Sequence, residues 1–190
     1  MQAHVLPPSE AGPSRRFVLT HERILGILLL LELVFFSMAG RNFLSGSNLI
    51  LVLRLGSELG LLAVLMTPVI LTGGIDLSVG SLMGLCAVLF GKLWRDGGLS
   101  VALAAPLTVL IGAAAGGLNA LLITRFRIPP LIVTLGTYSL FRGLAEGLTQ
   151  GSDNFTNFPP GFLSLGQGEI FGLLPSQFPL FAAVAAGVWL

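Results

Sequence analysis

The sequence predicts an all-α membrane protein, built as a multi-span bundle of transmembrane helices. Apolar residues make up 54% of the 190-residue chain and charged residues only 10%, whereas soluble domains carry about 25% charged residues. The mean hydropathy is +0.90. A soluble fold of this length could not bury so much apolar surface and still present a polar exterior. The composition therefore favours helices that face lipid.

Apolar runs predict five complete spans and the start of a sixth. A spanning helix needs about 20 residues to cross roughly 30 Å of hydrocarbon. The sixth run has only 13 residues, so the chain looks truncated inside it. Residues 1–22 are polar and predict a cytoplasmic tail, and residues 149–177 predict an external loop. The predicted spans of this membrane domain, residues 23–190, are 24–40, 50–72, 77–94, 99–124 and 130–148, followed by the incomplete 178–190.

The distribution of Lys and Arg leaves two orientations open. If the chain turns at Gly73–Asp76, five basic residues lie inside and three outside; if residues 48–94 cross only once, the count is again five against three. The loop 149–177 breaks the tie, because no Lys or Arg follows Arg142 and the loop is easy to translocate. It emerges outside only in the five-span count. We therefore expect a cytoplasmic N-terminus and an outer loop.

A helix stop and a helix start meet at residues 72–81, Thr-Gly-Gly-Ile-Asp-Leu-Ser-Val-Gly-Ser. Gly73 or Gly74 can adopt the left-handed conformation that ends a helix. Asp76 can cap the next helix by accepting from the amide of Ser78 or Val79. The segment is then either a well-capped turn between spans or a discontinuous helix at a translocation path, where free helix ends face the solute.

One face of the fifth predicted span carries four polar side chains. Thr134, Tyr138, Arg142 and Glu146 are spaced four residues apart and so share a helix face. Charged groups inside a membrane usually turn toward protein or water. Arg142 and Glu146, however, lie late in the span, where they can reach the interface. Pore lining and interfacial anchoring therefore both remain open.

The segment 72–81 also resembles the signature of the ribose-type ABC permeases, which serve ribose, xylose, galactose, rhamnose and the bacterial autoinducer sugar. The likeness continues in order through residues 117–124 (Gly-Leu-Asn-Ala-Leu-Leu-Ile-Thr), 128–137 and 141–143, and covers about residues 50–150. Residues 140–148 and the Asn-Phe-Thr-Asn-Phe-Pro stretch of the loop look closest to rhamnose permeases.

The resemblance implies the translocating permease subunit of a bacterial ABC importer for a monosaccharide, a multi-pass protein of the inner membrane. It implies three protein partners: an ABC ATPase subunit that hydrolyses ATP, a periplasmic sugar-binding protein, and a second permease copy or paralogue. The chain itself is expected to catalyse no bond chemistry and to need no cofactor. The candidate path or hinge residues are Gly73, Gly74, Asp76, Ser78, Gly80, Ser81, Asn119, Thr134, Tyr138 and Arg142.

Other function classes find little support in the residues. The net charge is +1 and the basic residues are dispersed, so nothing points to nucleic acid. Gly91-Lys92 lacks the Ser or Thr that follows Lys in a P-loop. Both histidines, His4 and His21, fall in the predicted N-terminal tail, which leaves no intramembrane His ligand for a metal. The alternatives are a stand-alone secondary transporter or channel, although only Glu32 is clearly a mid-span charge, and a non-functional truncated permease.

Overall fold

The structure, a computed structural model, describes residues 20–170 and 174–189. Almost all of the predicted tail, residues 1–19, and the last residue of the predicted sixth run lie outside the described residues. The chain divides into two compact units, residues 1–49 and 50–190.

Seven helices and one small antiparallel sheet form in the described part of the chain. Six of the helices begin and end within four residues of a predicted span, and the seventh lies in the predicted loop; the number of membrane crossings itself stays a prediction. The helices are α1 (His21–Ala39), α2 (Gly46–Leu71), α3 (Val79–Arg95), α4 (Val101–Arg125), α5 (Pro130–Thr149), α6 (Pro160–Gln167) and α7 (Phe178–Trp189). The strands are β1 (Glu169–Ile170) and β2 (Leu174–Pro175), paired antiparallel.

In the first unit, a compact turn follows α1. The Gly40 amide donates to the Phe36 carbonyl at 2.9 Å and ends the helix. The Phe36 and Phe43 rings lie 5.8 Å apart, and Asn48 Nδ2 donates to the Phe43 carbonyl at 2.7 Å. These contacts order the segment between Gly40 and Asn48.

In the second unit, α3, α4 and α5 pack against one another. Ser78, just before α3, contacts Asn119 late in α4, whereas Cys86 further along α3 lies against Gly112 earlier in α4. The two helices therefore run antiparallel. Ile75 contacts Thr134 at the start of α5, and the C-terminal end of α3 contacts the loop that follows α5. Helices α3 and α5 therefore run in the same direction.

The interior of this bundle is polar and its surface is apolar. Among the described residues of the second unit, the buried apolar side chains include Leu85, Ala104, Val133 and Phe141, while the buried polar ones are Ser57 of α2, Ser78, Thr108, Asn119, Thr134, Thr137 and Thr149. Long apolar side chains on every one of the first five helices are exposed. Small and hydroxyl-bearing residues between helices, with apolar residues outside, are typical of packing in lipid. By length and composition, α2 and α4 could each cross a membrane.

The predicted outer loop is ordered rather than irregular, because its aromatic residues pack on the C-terminal half of α3. The Phe158 ring lies 5.5 Å from Phe90 and 4.4 Å from Trp94, and the Phe162 ring lies 5.0 Å from Phe90. Phe155 covers Gly91 so closely that a Cβ at Gly91 would overlap its ring. Only a residue without a side chain fits at position 91.

Ion pairs fasten the same loop to the end of α3. Asp153 lies 3.2 Å from Arg95 Nη2 and 3.7 Å from Lys92 Nζ. The Arg95 guanidinium also lies over the Phe155 ring, 4.4 Å from its centre. Hydrogen bonds from Arg95, and then from Lys92, lower the pKa of Asp96 to about 2. Lys92 and Arg95 at the end of α3 therefore hold Asp153 of the loop.

The far end of the loop contacts α2. Arg54 Nη2 donates to the Gln167 carbonyl at 2.8 Å, and Gln177 Nε2 donates to Glu58 Oε1 at 3.3 Å. The ring of Phe181 approaches α2 at Gly60, where an added Cβ would lie 2.9 Å from it. One loop thus touches both the first half of α2 and the end of α3.

Candidate translocation site at the start of α3

Helix α2 ends in a paired-glycine motif. The Gly74 amide donates to the Val69 carbonyl and the Gly73 amide to the Ile70 carbonyl, both at 2.9 Å. These two bonds form a Schellman motif with Gly73 at the left-handed position, where its φ is +76°. The left-handed residue is therefore Gly73 and not Gly74. Gly74 is needed for a different reason, because a Cβ there would lie 3.0 Å from the Val69 oxygen.

Helix α3 starts on a turn that Asp76 closes. Asp76 Oδ1 accepts from the Ser78 amide at 2.8 Å and from the Ser78 hydroxyl at 2.7 Å. Ser78 is the N-cap residue of α3, so Asp76 fixes the residue from which the helix begins. The sequence predicts the amide of Ser78 or of Val79 as the partner of Asp76, and in the structure it is the Ser78 amide. Ser81 Oγ then donates back to the Ser78 carbonyl at 2.8 Å.

Buried hydrogen bonds tie this extended segment to both neighbouring helices. Asn119 Nδ2 of α4 donates to Ser78 Oγ at 2.9 Å. The Thr134 hydroxyl of α5 lies 3.1 Å from the Ile75 carbonyl and 2.9 Å from the Pro130 carbonyl, and shares its one proton between them. Ser78, Thr134 and Asn119 are 0%, 1% and 5% exposed. Because buried polar groups are costly when unpaired, these bonds hold the segment in one place.

The segment lies beside the body of α4 rather than beyond its end. Asn119 precedes the last residue of α4 by six positions, which is about 9 Å along the helix axis. Helix α3 has 17 residues and α4 has 25, corresponding to about 25 Å and 37 Å of helix. The non-helical segment before α3 therefore lies alongside α4, where the first turns of a longer α3 would otherwise lie.

Two cavities flank the start of α3. The first, which we name cavity A, has a volume of about 520 Å³ and lies among the end of α2, the late part of α4 and the start of α5. Its walls include Gly73, Gly74, Asp76, Asn119 and Thr134.

The second, cavity B, has a volume of about 440 Å³ and lies between α3 and α5. Its walls include Gly80, Ser81, Tyr138, Arg142 and Glu146. Nine of the ten candidate residues therefore line one of the two cavities. The tenth, Ser78, is buried between Asp76 and Asn119.

The polar face of α5 is divided between the two cavities. Arg142 Nε pairs with Glu146 Oε1 at 2.8 Å, and Arg142 Nη1 donates to the Tyr138 hydroxyl at 3.4 Å, all beside cavity B. Both partners of the ion pair are more than half exposed. Thr134, although on the same predicted face, turns to Ile75 and cavity A. The face is therefore not one continuous polar stripe.

Several lining residues were absent from the candidate set. Gly84 and Thr149 line cavity B, and Gly116 and Thr124 line cavity A. Gly84 follows Gly80 by one helical turn, and this small-residue spacing is the signal that could have found it. Among the described residues, no group of three or more His, Cys, Asp or Glu side chains could hold a metal ion.

Comparison with known proteins places these features in a transporter family. The family described as "Branched-chain amino acid transport system / permease component" matches residues 48–190. A ribose import permease protein of Haemophilus influenzae is 32% identical over 177 residues, covering 92% of this chain and 54% of that protein. The autoinducer 2 import system permease proteins of Photorhabdus laumondii and Yersinia pseudotuberculosis are each 37% identical over 174 residues, covering 89% of this chain and 52% of theirs.

The chain thus spans about half the length of the curated relatives that it matches. No solved structure matches it. The helix break, both cavities and the loop contacts all fall within the matched residues 48–190. The resemblance to the ribose-type ABC permeases is confirmed, and the chain belongs to this family of transport permeases.

Proposed function

We propose that the protein is the translocating permease subunit of a bacterial ABC importer for a monosaccharide of the ribose or rhamnose kind. The observation that carries this proposal is the family match over residues 48–190, together with relatives named for the import of ribose and autoinducer 2. A partner ATPase hydrolyses ATP, a periplasmic binding protein delivers the sugar, and a second permease copy or paralogue completes the pore. The chain itself catalyses no bond chemistry.

The proposed topology has the N-terminus in the cytoplasm, five complete spans and the loop 149–177 outside the inner membrane. The contacts of the loop support it. Gln167 binds Arg54 in the first half of α2, and Asp153 binds Arg95 at the end of α3. One ordered loop lies on one side of the membrane, so both of these positions lie on that side. The chain between Arg54 and Arg95 then crosses the membrane twice and turns at the Gly73–Ser78 segment.

The proposed path runs past the start of α3, from cavity B to cavity A. The extended segment lies beside α4 and leaves glycines and a helix start facing cavities, which is the arrangement of a discontinuous helix at a solute site. Nine candidate residues line the two cavities. This geometry supports the pathway interpretation of the Gly73–Ser81 segment over that of a turn at the membrane surface.

Uptake by the complete importer tests this function. A strain that lacks the permease gene is complemented with the full-length gene, and uptake of labelled ribose, rhamnose and autoinducer 2 is measured with and without the partner ATPase gene. We expect restored uptake of one of these solutes that disappears without the ATPase. Uptake that persists without the ATPase and falls when the proton gradient is collapsed would instead identify a secondary transporter. Restoration of none of the three would remove the assignment to a monosaccharide of the ribose or rhamnose kind.

A further inference from the structure

The hydrogen bonds around Ser78 fix the orientation of the Asn119 amide. The Ser78 hydroxyl has a single proton, and its oxygen lies 2.7 Å from Asp76 Oδ1 and 2.9 Å from Asn119 Nδ2. An ionised carboxylate only accepts, so the Ser78 proton is committed to Asp76. The Ser78 oxygen must therefore accept from Asn119. A reversed amide would place two acceptors face to face, so Asn119 turns its nitrogen to Ser78.

This orientation leaves the carbonyl oxygen of Asn119 without a partner. Asn119 is 5% exposed, and within the described residues its Oδ1 atom is buried and accepts no hydrogen bond. The side chain forms part of the wall of cavity A. A buried acceptor without a donor is costly, and the surrounding network prevents the amide from turning to avoid that cost.

We propose that Asn119 Oδ1 accepts a hydrogen bond from a hydroxyl group of the transported solute in cavity A. The inference rests on the proposed import function and adds to it a specific contact residue. A lone acceptor needs one donor, and a hydroxyl supplies one; that the solute carries several hydroxyls follows from the proposed function. The cavity volume of about 520 Å³ falls within the range of roughly 300–1,000 Å³ of small-molecule sites.

Asp76 and Ser78 act in this arrangement as positioning residues. They do not need to touch the solute. The charge of Asp76 orients the Ser78 hydroxyl, and the Ser78 oxygen orients the amide. Gly73, Gly74 and Gly116 form part of the wall of the same cavity and leave it free of side chains at these positions. The solute can therefore come close to the backbone beside the acceptor.

Transport of deoxy sugars by the complete importer tests the contact. Uptake of the transported sugar and of each of its monodeoxy derivatives is measured in proteoliposomes for the wild type and for Asn119→Leu, normalised to permease content. The binding protein is the same throughout, so its selectivity cancels in the ratio of variant to wild type for each sugar. We expect the variant to transport the parent sugar about tenfold less efficiently, as for one lost hydrogen bond. For the one derivative that lacks the hydroxyl bound by Asn119, the ratio of uptake by the variant to uptake by the wild type should be close to 1.

Three further variants separate contact from structure. Asn119→Ala removes the same acceptor without added bulk and should reproduce the pattern if Asn119→Leu assembles poorly. Ser78→Ala removes the oxygen that orients the Asn119 amide, so it should change the ratio for the same deoxy derivative in the same direction as the Asn119 variants, but by less. Thr108→Val removes a buried hydroxyl that bonds only within α4 and should leave every ratio near 1.

The same measurements distinguish the import function from the Asn119 contact. If the wild-type importer transports none of the sugars, the proposed function is wrong. If the wild type transports and both Asn119 variants lower the parent and all deoxy sugars equally, Asn119 has a structural role only and the inferred contact is wrong. Unchanged transport by both variants would also overturn it.

Discussion

Asp76 shows how one side chain can hold a helix start inside a bundle. Its Oδ1 atom accepts both from the amide and from the hydroxyl of Ser78, and Ser78 in turn bonds to α4. The sequence predicts that Asp76 accepts from a backbone amide at the start of α3, since Asp before a helical run is a local signal, but the N-cap residue itself is Ser78, two positions later. It does not predict the link to Asn119, because that contact joins residues 41 positions apart and depends on how α3 packs on α4.

Substitution of Asp76 separates its acceptor role from its charge. Asp76→Asn keeps an oxygen at the same place, so we expect near-normal assembly and stability. Asp76→Ala removes the acceptor and should lower the free energy of unfolding by about 1 kcal/mol. Thermal unfolding of the detergent-solubilised protein measures both. An Asn variant as unstable as the Ala variant would contradict the role of Asp76 as the acceptor for Ser78.

The two glycines before Asp76 should differ in what they tolerate. Gly73→Ala places a side chain at φ +76° in otherwise open space, which should cost about 1–2 kcal/mol. Gly74→Val should be worse, since its side chain meets the Val69 carbonyl and the Val69 Cγ1 atom, 3.0 and 3.2 Å from the Cβ position. Gly136→Ala is the control, as it lies in α5 with open space around it. Membrane levels and thermal unfolding of the three variants rank the losses of stability. Equal values would show that neither the positive φ of Gly73 nor the close contact at Gly74 requires glycine.

At the scale of elements, the predicted outer loop is the part that the sequence describes least well. Its polar composition predicts only an external loop, and does not predict that Phe155, Phe158 and Phe162 pack on the end of α3. Isolated aromatic residues in a polar segment carry no periodic signal. Their role depends on Gly91 and Phe90, which lie more than 60 residues earlier in the chain.

Releasing this loop requires only one added carbon. Gly91→Ala introduces a Cβ that overlaps the Phe155 ring, so we expect the loop to detach from α3. Gly84→Ala is the matched control, because it lies on the same helix with open space at its Cβ. A cysteine at Asn154, in a Cys86→Ser background, reports the change through its rate of reaction with a thiol reagent. Faster reaction in Gly91→Ala than in Gly84→Ala is expected, and equal rates would show that the contact does not hold the loop.

For the whole molecule, composition predicts the class of fold, because a chain rich in apolar residues lies in lipid and lipid requires its spanning segments to pair their own backbone groups. The same composition does not count the crossings, since the balance of Lys and Arg is equal for two topologies. The absence of Lys and Arg from the loop 149–177 favours one of them, and a pair of long-range contacts, from Arg54 to Gln167 and from Arg95 to Asp153, supports the same one. Such contacts follow from tertiary packing and leave no trace in local sequence patterns.

The most direct test of whether the chain turns at Gly73–Ser78 is to find from which side of the membrane single cysteines can be labelled. In a Cys86→Ser background, cysteines at Ser152, Gln167 and Arg125, all exposed in the structure, are treated with an impermeant thiol reagent from either side of the membrane. The five-span topology predicts that positions 152 and 167 react from the periplasmic side and position 125 only from the cytoplasmic side. The reverse pattern, with the loop labelled only from the cytoplasm, would mean that residues 48–94 cross once and would contradict the proposed path.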